Sequence, residues 1–137
     1  MNKIMGLDVG TKRIGVSLSD ALGFTAQPYE TIPRQPEENA IAAIKKICTE
    51  NNVKKIVIGL PKMMNGTIGE QAEDCIKFSD LLKSDFEIIF EDERLTSRQA
   101  EKILALQGKK YTKNKGLVDL KSACIILQQY LDRNSIN

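Results

Sequence analysis

The sequence predicts an α/β fold: a mixed five-stranded sheet, in which three antiparallel strands precede parallel β-α-β units, with helices on both faces. Two observations predict it. Within the first 32 residues lie three predicted strands, and in Arg13–Ser19 apolar side chains alternate with small ones at a period of two, which is typical of strands. From residue 36 onward, helical apolar stripes separate short apolar runs, and strands joined by helices pair in parallel. At 137 residues the chain predicts a single domain, residues 1–137, with one core.

Three predicted strands open the chain. Lys3–Val9 and Arg13–Ser19 are joined by a short hairpin connection at residues 10–12. Along the second strand, apolar and small side chains alternate: Ile14, Val16 and Leu18 with Gly15, Ser17 and Ser19. A third strand is predicted at Gln27–Ile32. The short connections between these strands make them an antiparallel meander.

The middle of the chain alternates helices with strands. Pro36 can begin the first helix at its first position, and that helix is predicted to end at about Asn51. Ile56–Leu60 is a short apolar run, typical of a strand that is buried on both faces. Because its neighbours in sequence are helical, this strand is expected to pair in parallel.

A capping box introduces the next helix. Thr67 and Glu70 have the spacing of this motif, and they predict a helix that ends at about Lys83. Phe86–Glu91 is then the fifth strand.

Two further helices are predicted in the C-terminal part. Thr96–Gln99 is a second capping box, which begins a helix that ends at about Leu106. Gly108–Gly116 is a polar, lysine-rich connection. The last helix is predicted at Leu117–Asp132, with a core stripe of Leu117, Leu120, Cys124, Leu127 and Leu131.

The composition narrows the chemistry. The chain has no histidine, which excludes Ser-His and Cys-His catalysis and any zinc site with a histidine ligand. Cys48, Cys75 and Cys124 lie in apolar helical patterns without a CxxC spacing, so we expect free, buried thiols. The net charge of +2 is too small to indicate a nucleic-acid partner by itself. Catalysis is left to carboxylates, lysines, hydroxyls and hard metal ions.

The sequence predicts a cytoplasmic protein without a membrane partner. No apolar run approaches the ~20 residues of a membrane-spanning helix. The N-terminal residues lack the apolar region of a signal peptide.

Carboxylates in or beside strands are the main candidates for a functional site. Asp8 lies within an apolar strand, where a buried charge is costly unless a positive charge pairs with it. Asp92 and Glu93 end the fifth strand. Asp119 lies in the first turn of the last helix, where the helix dipole favours a carboxylate.

Convergence of these acids would create a metal site. Mg²⁺ or Mn²⁺ would relieve their mutual repulsion, because both ions prefer oxygen ligands. Two such ions, about 3.5–4 Å apart, could hold a phosphodiester and activate a water. Ordinary explanations stay open: a structural hydrogen-bond acceptor for Asp8, a solvated strand end for Glu91–Arg94, and a helix N-terminal charge for Asp119.

Basic residues near predicted loops are candidates for binding a nucleic acid. Lys12 and Arg13 flank the first hairpin, and Arg94 follows the fifth strand. Lysines crowd the connection before the last helix, at Lys109, Lys110, Lys113 and Lys115. Such a loop could follow a phosphate backbone, and Tyr111 within it could stack on a base. A solvated loop would have the same composition.

Four motifs together resemble the YqgF/RuvX family of Holliday-junction-resolvase-like proteins, which have a ribonuclease H-like fold. The resemblance covers nearly the whole chain, with the motifs in the family's order. They are Gly6–Asp20; Val57–Pro61 with Asn65 and Gly66; Asp92–Ser97; and Lys115–Asp119 with Ala123 and Ile125–Leu131. Asn65 departs from the family, in which aspartate more often precedes the glycine, and this puts an acidic role of that loop in doubt.

The resemblance implies a metal-dependent nuclease, a hydrolase acting on ester bonds. Asp8, Glu93 and Asp119 would be its catalytic and metal-binding residues, with Asp92 as the alternative middle acid. Mg²⁺ or Mn²⁺ would be the cofactor. The implied substrate is structured RNA, in maturation of the 5′ end of pre-16S ribosomal RNA on a ribosomal precursor particle, or a four-way DNA junction. Junction cleavage would favour a homodimer with paired sites over a monomer.

Two other classes of function stay open. The Asp8-x-Gly-Thr sequence also resembles the phosphate loop of actin-like and sugar-kinase folds, which suggests a phosphotransferase or ATPase. Those folds need a second domain to close over ATP, for which this chain has no room. The third class is a non-catalytic RNA-binding assembly factor that retains a nuclease-like fold.

Overall fold

The computed structural model describes residues 2–61, 69–92 and 115–134. These ranges contain eight helices and strands, introduced here in chain order. They are β1 (Lys3–Val9), β2 (Arg13–Ser19), β3 (Ala26–Pro33), α1 (Glu37–Asn51), β4 (Val53–Leu60), α2 (Glu70–Asp80), β5 (Glu87–Asp92) and α3 (Lys115–Asn134). None of the helices in these ranges is both long and apolar enough to cross a membrane.

The strands form one sheet in the order β3-β2-β1-β4-β5. The first three strands pair antiparallel, as short hairpin connections require. β4 pairs in parallel with both β1 and β5, because helices carry the chain between these strands. The predicted mixed five-stranded α/β fold is therefore confirmed.

Each face of the sheet packs against helices. Side chains of β1 alternate, so Met5, Leu7 and Val9 enter the core beneath α1 and α2. On the opposite face, Val57 of β4 packs with Leu127 and other apolar residues of α3. The prediction of helices on both faces is also confirmed.

The strands differ slightly from their predicted limits. β3 and β5 are displaced or extended by one residue at their ends. β4 begins at Val53, three residues before the predicted start at Ile56. Val53 is buried and pairs with Lys3 in β1, so tertiary pairing extends the strand beyond its apolar run.

The predicted limits of the first two helices were partly wrong. Pro36 is the N-cap of α1 and not its first residue. α2 begins at Glu70, with Gly69 as an N-cap that provides no side-chain hydrogen bond, so the capping-box start at residue 67 was wrong. α2 ends at Asp80 because the next amides bond carbonyls three residues back, in a tighter turn that buries Leu82.

α3 is longer than predicted, and only Leu127 and Leu131 of its predicted core stripe are buried. It begins at Lys115, so Lys115 and Gly116 belong to the helix and not to the preceding connection. Its buried residues are Ala123, Ile126, Leu127, Tyr130 and Leu131, whereas Leu117, Leu120 and Cys124 are half-buried. All three cysteines are free, as predicted, but only Cys48 and Cys75 are fully buried. The predicted helix at 96–106 and the connection up to residue 114 lie outside the described residues.

Small residues on the sheet explain how α3 packs. The Ser17 hydroxyl donates a hydrogen bond to the Ala123 carbonyl at 2.8 Å. A Cβ added to Gly6 would lie 2.7 Å from the Leu127 Cβ. The helix therefore rests directly on the sheet at Ala123, and this contact sets the rotation of the helix about its axis.

Candidate acidic site

Asp119 of α3 lies over Gly15, the cross-strand partner of Asp8. Because they are paired, Asp8 and Gly15 both direct their Cβ positions to the α3 face of the sheet. A Cβ added to Gly15 would collide with the Asp119 carbonyl group, at 2.5 Å from its carbon. Because α3 begins at Lys115, Asp119 lies in the second turn of the helix, and its predicted place in the first turn was wrong. That second turn lies over the residue that pairs with Asp8.

Arg13 orients the Asp119 carboxylate. The Arg13 Nε donates to the Asp119 Oδ2 at 3.0 Å, and the two side chains are 34% and 22% exposed. Burial raises the pKa of the Asp119 carboxyl above its usual value, while the hydrogen bond and charge of Arg13 lower it. Arg13 therefore supplies the positive charge that a half-buried carboxylate needs.

Glycines flank Asp8 on both neighbouring strands. Gly15 lies on one side, and its missing side chain leaves room for α3. On the other side, the register that pairs Leu7 with Ile58 brings Gly59 beside Asp8 when continued by one residue. The residues that flank Asp8 on the two adjacent strands are therefore both glycines.

At the end of β5, the neighbouring acids Glu91 and Asp92 face opposite sides of the sheet. Glu91 faces α3, where it bonds Arg133, and it is only 1% exposed. Asp92 therefore faces the opposite side of the sheet, away from Asp8. This alternation argues against Asp92 as the middle acid. Glu93 lies outside the described residues.

Glu91 is not part of a solvated strand end. Arg133 Nη1 donates to the Glu91 Oε2 at 3.0 Å, and its Nη2 donates to the other carboxylate oxygen. These two hydrogen bonds tie the end of β5 to the last turn of α3. Asp119 lies near the other end of the same helix. Glu91 is thus a structural anchor between β5 and α3.

We expect Arg133→Ala to lower the free energy of unfolding by about 3 kcal/mol, because it leaves the buried Glu91 carboxylate uncompensated. The double substitution Glu91→Met with Arg133→Met should recover most of that loss, since neither charge remains. Urea denaturation measures both. The exposed Lys83–Asp80 pair is the control, and Lys83→Ala should change stability by less than about 1 kcal/mol. An Arg133→Ala loss no larger than this control would contradict the anchor.

The predicted basic residues are only partly described. Lys12 is exposed at the hairpin beside Arg13, whereas Arg13 is half-buried against Asp119. Arg94, Lys109, Lys110 and Lys113 lie outside the described residues, as does the side chain of Lys115.

A cavity of about 570 Å³ is lined by Thr11, Arg34, Gln35, Glu70, Gln71 and Asp74. It lies on the α2 side of the sheet, opposite the acids.

The described acids offer part of a metal site. Asp8 and Asp119 supply hard oxygen donors of the kind that Mg²⁺ and Mn²⁺ prefer. Within residues 2–61, 69–92 and 115–134, no group of three or more metal-binding side chains comes together. The donor set therefore fits such an ion if a further carboxylate, for which Glu93 is the candidate, completes it.

Sequence reasoning missed the structural contacts of Gly15, Arg34, Glu91 and Arg133. The alternation of Gly15, Ser17 and Ser19 was a usable signal, since a row of small side chains permits close approach of a helix. Arg34 stands between two prolines of the chain but carries no motif. Glu91 and Arg133 lie 42 positions apart, so no local pattern could pair them.

The chain is similar throughout to curated bacterial proteins. It is 49% identical over 132 residues to a Clostridium tetani protein named "Putative pre-16S rRNA nuclease", covering 95% of this chain and 96% of that protein. A protein of the same name from Clostridioides difficile is 48% identical, with 95% and 94% covered. These relatives support the expectation of a hydrolase acting on phosphodiester bonds.

Solved structures confirm the fold. Thermus thermophilus RuvC, in complex with a Holliday junction substrate, superposes with a TM-score of 0.62 at 11% identity, covering 99% of this chain and 98% of that one. The Fowlpox virus resolvase, in complex with Holliday junction DNA, gives a TM-score of 0.60 at 12% identity, with 96% and 97% covered. At such low identity these likenesses concern the fold alone. The profile of the RuvX family, described as Holliday junction resolvase, matches residues 2–133, and the chain belongs to this family.

Proposed function

We propose that the protein is a divalent-metal-dependent nuclease that hydrolyses phosphodiester bonds in structured RNA, in maturation of the 5′ end of pre-16S ribosomal RNA. The observation that carries the proposal is the position of Asp119 over Gly15, the cross-strand partner of Asp8. The names of the curated relatives support the choice of substrate.

The acids would hold the metal. Asp8 and Asp119, with Glu93 as the third ligand, would bind Mg²⁺ or Mn²⁺. A bound ion would lower the pKa of a water and neutralise charge on the phosphate. Arg13 keeps the Asp119 carboxylate oriented through its Nε–H. In the hydrolysis, the water oxygen bonds to phosphorus, the bond to the leaving nucleotide oxygen breaks, and that oxygen takes up a proton.

The substrate would approach over the first hairpin. Lys12 is exposed there, directly before Arg13, and can pair with a backbone phosphate. The remaining basic residues would extend this contact along the phosphate backbone of the nucleic acid. They are Arg13, Arg94, Lys109, Lys110, Lys113 and Lys115. The reaction would take place in the cytoplasm, on the ribosomal precursor particle, and a monomer suffices for it.

Cleavage of four-way DNA junctions is the second candidate. The description of the family favours it. Two symmetric cuts in a junction require two active sites, so this activity would need a homodimer.

The deciding experiment is a comparison of substrates. The purified protein is incubated with labelled pre-16S RNA 5′ leader and with a labelled four-way DNA junction, in Mg²⁺, in Mn²⁺ and in a chelator. Asp8→Asn runs beside it as the control for a contaminating nuclease. Size-exclusion chromatography with light scattering measures the oligomeric state under the same conditions.

The proposal expects metal-dependent cleavage of the RNA by wild type only. Cleavage of the junction alone, by a dimer, would replace RNA maturation with junction resolution. If neither substrate is cut and wild type and Asp8→Asn bind RNA equally, the proposed nuclease activity is wrong. A non-catalytic assembly factor is then the better explanation.

A further inference from the structure

Arg34 is a buried cation on the face of the sheet opposite the acids. It directly follows β3, and its side chain is 4% exposed. The guanidinium forms a fork with the Asp74 carboxylate of α2, with two bonds of 2.9 Å. It also bonds Glu37 at 3.3 Å and lies 4.8 Å from the centre of the Phe78 ring.

The same residue binds both ends of the hairpin that joins β1 to β2. Its Nη1 donates to the Gly10 carbonyl at 2.9 Å. Its backbone N–H donates to the Lys12 carbonyl at 3.0 Å. Gly10 in turn donates to the Arg13 carbonyl at 2.9 Å, which closes the turn. Arg34 thus contacts residues 10–12 from beneath.

This hairpin connects the two residues on which the site depends. Asp8 stands two positions before Gly10, and Arg13, which orients Asp119, directly follows Lys12. A shift of the hairpin would move Asp8 and Arg13 relative to each other. A displacement of about 1 Å is enough to reduce catalysis about 10²-fold in enzymes generally.

Stability alone does not account for a guanidinium at this position. Its Nε is buried without a hydrogen-bond acceptor among the described residues. A buried ion pair is often no more stabilising than apolar side chains of similar volume. An apolar side chain could fill the space, but it could not donate to the Gly10 carbonyl and to Asp74 at once. The hydrogen bonds that Arg34 donates to Asp74 also hold the pKa of the Asp74 carboxyl below its usual range, so the pair remains ionised.

We propose that Arg34 is a positioning residue, which ties the Gly10–Lys12 hairpin to α2 and thereby sets the placement of Asp8 and Arg13. The role rests on the proposed nuclease function. Arg34 acts through the hairpin and does not touch the substrate.

The test separates position from stability. Arg34→Met should lower kcat about 10–100-fold with KM changed by less than about threefold, as for residues that support a metal site. Arg34→Met with Asp74→Leu should regain thermal stability as an apolar pair, yet keep the low kcat. Arg34→Lys, which retains the charge without the fork, should recover only part of the activity. Glu37→Gln is the matched control, since Glu37 binds the same guanidinium from the first turn of α1.

Hydrogen–deuterium exchange provides the readout that does not depend on cleavage. Peptides covering residues 8–15 should exchange faster in Arg34→Met and in its double variant than in wild type or Glu37→Gln. If exchange rises as expected but wild type cuts no substrate, the proposed nuclease function fails and the positioning of the hairpin stands. If the folded double variant exchanged at the wild-type rate and had the wild-type kcat, the positioning role of Arg34 would be overturned.

Discussion

Asp8→Asn is expected to lower kcat on the order of 10³-fold or more while the protein remains folded. An asparagine oxygen carries no net charge, so the variant loses one of the two carboxylates that the described part of the site contains. Removal of one group that stabilises charge in a transition state generally costs 10²–10³-fold, and a metal ligand contributes at least as much. Single-turnover cleavage of the substrate that wild type cuts measures the loss.

The matched control is Asp80→Asn, the same chemical change at an exposed position of α2. It should change kcat by less than about twofold. Calorimetric titration with Mn²⁺ should show weaker binding by Asp8→Asn only. Both variants should keep thermal midpoints within about 4 °C of wild type. Undiminished cleavage by Asp8→Asn would exclude Asp8 from the chemistry.

Gly15→Ala is expected to combine the largest loss of stability with a loss of activity. The added methyl group would meet backbone atoms of Asp119, and its distance to the Asp119 Cβ would be 3.2 Å. A backbone contact cannot be relieved by a change of rotamer, so α3 must move away from the sheet. We expect a loss of about 3 kcal/mol or more in the free energy of unfolding, at the upper end of overpacking costs. The folded fraction should cleave about 10²-fold more slowly, because Asp119 is displaced from Asp8.

Gly23→Ala provides the comparison for this glycine. Gly23 has a φ of +79° and nothing within 4 Å of an added Cβ, so alanine there is strained but does not collide with a neighbour. It should cost about 1 kcal/mol and leave kcat unchanged, because the β2–β3 turn lies away from the acids. Chemical denaturation and single-turnover cleavage of both variants separate the two effects. If Gly15→Ala and Gly23→Ala lost the same stability and the same cleavage rate, the contact of Gly15 with α3 would have no special importance.

Local patterns were sufficient for the architecture. The period-two alternation of β1 and β2 and the apolar run of β4 reflect which side chains each strand buries. This pattern can be read directly from the order of apolar and polar residues. The ends of the elements were less predictable. Val53 belongs to β4 through its pairing with Lys3, and α2 gives way after Asp80 to a tighter turn in which Leu82 is buried.

The sequence by itself determined the mixed sheet, the helices on both faces and the candidate acids Asp8 and Asp119, since each of these follows from residue type and spacing along a short stretch of chain. Only the tertiary structure decided that Asp119 lies over Gly15, that Arg13 holds Asp119, and that Asp92 faces away from Asp8. It also decided that Arg34 binds the hairpin and that Arg133 reaches Glu91. The reason is physical: these relations join residues far apart in the chain, and they exist only after the elements have packed at a particular register and rotation.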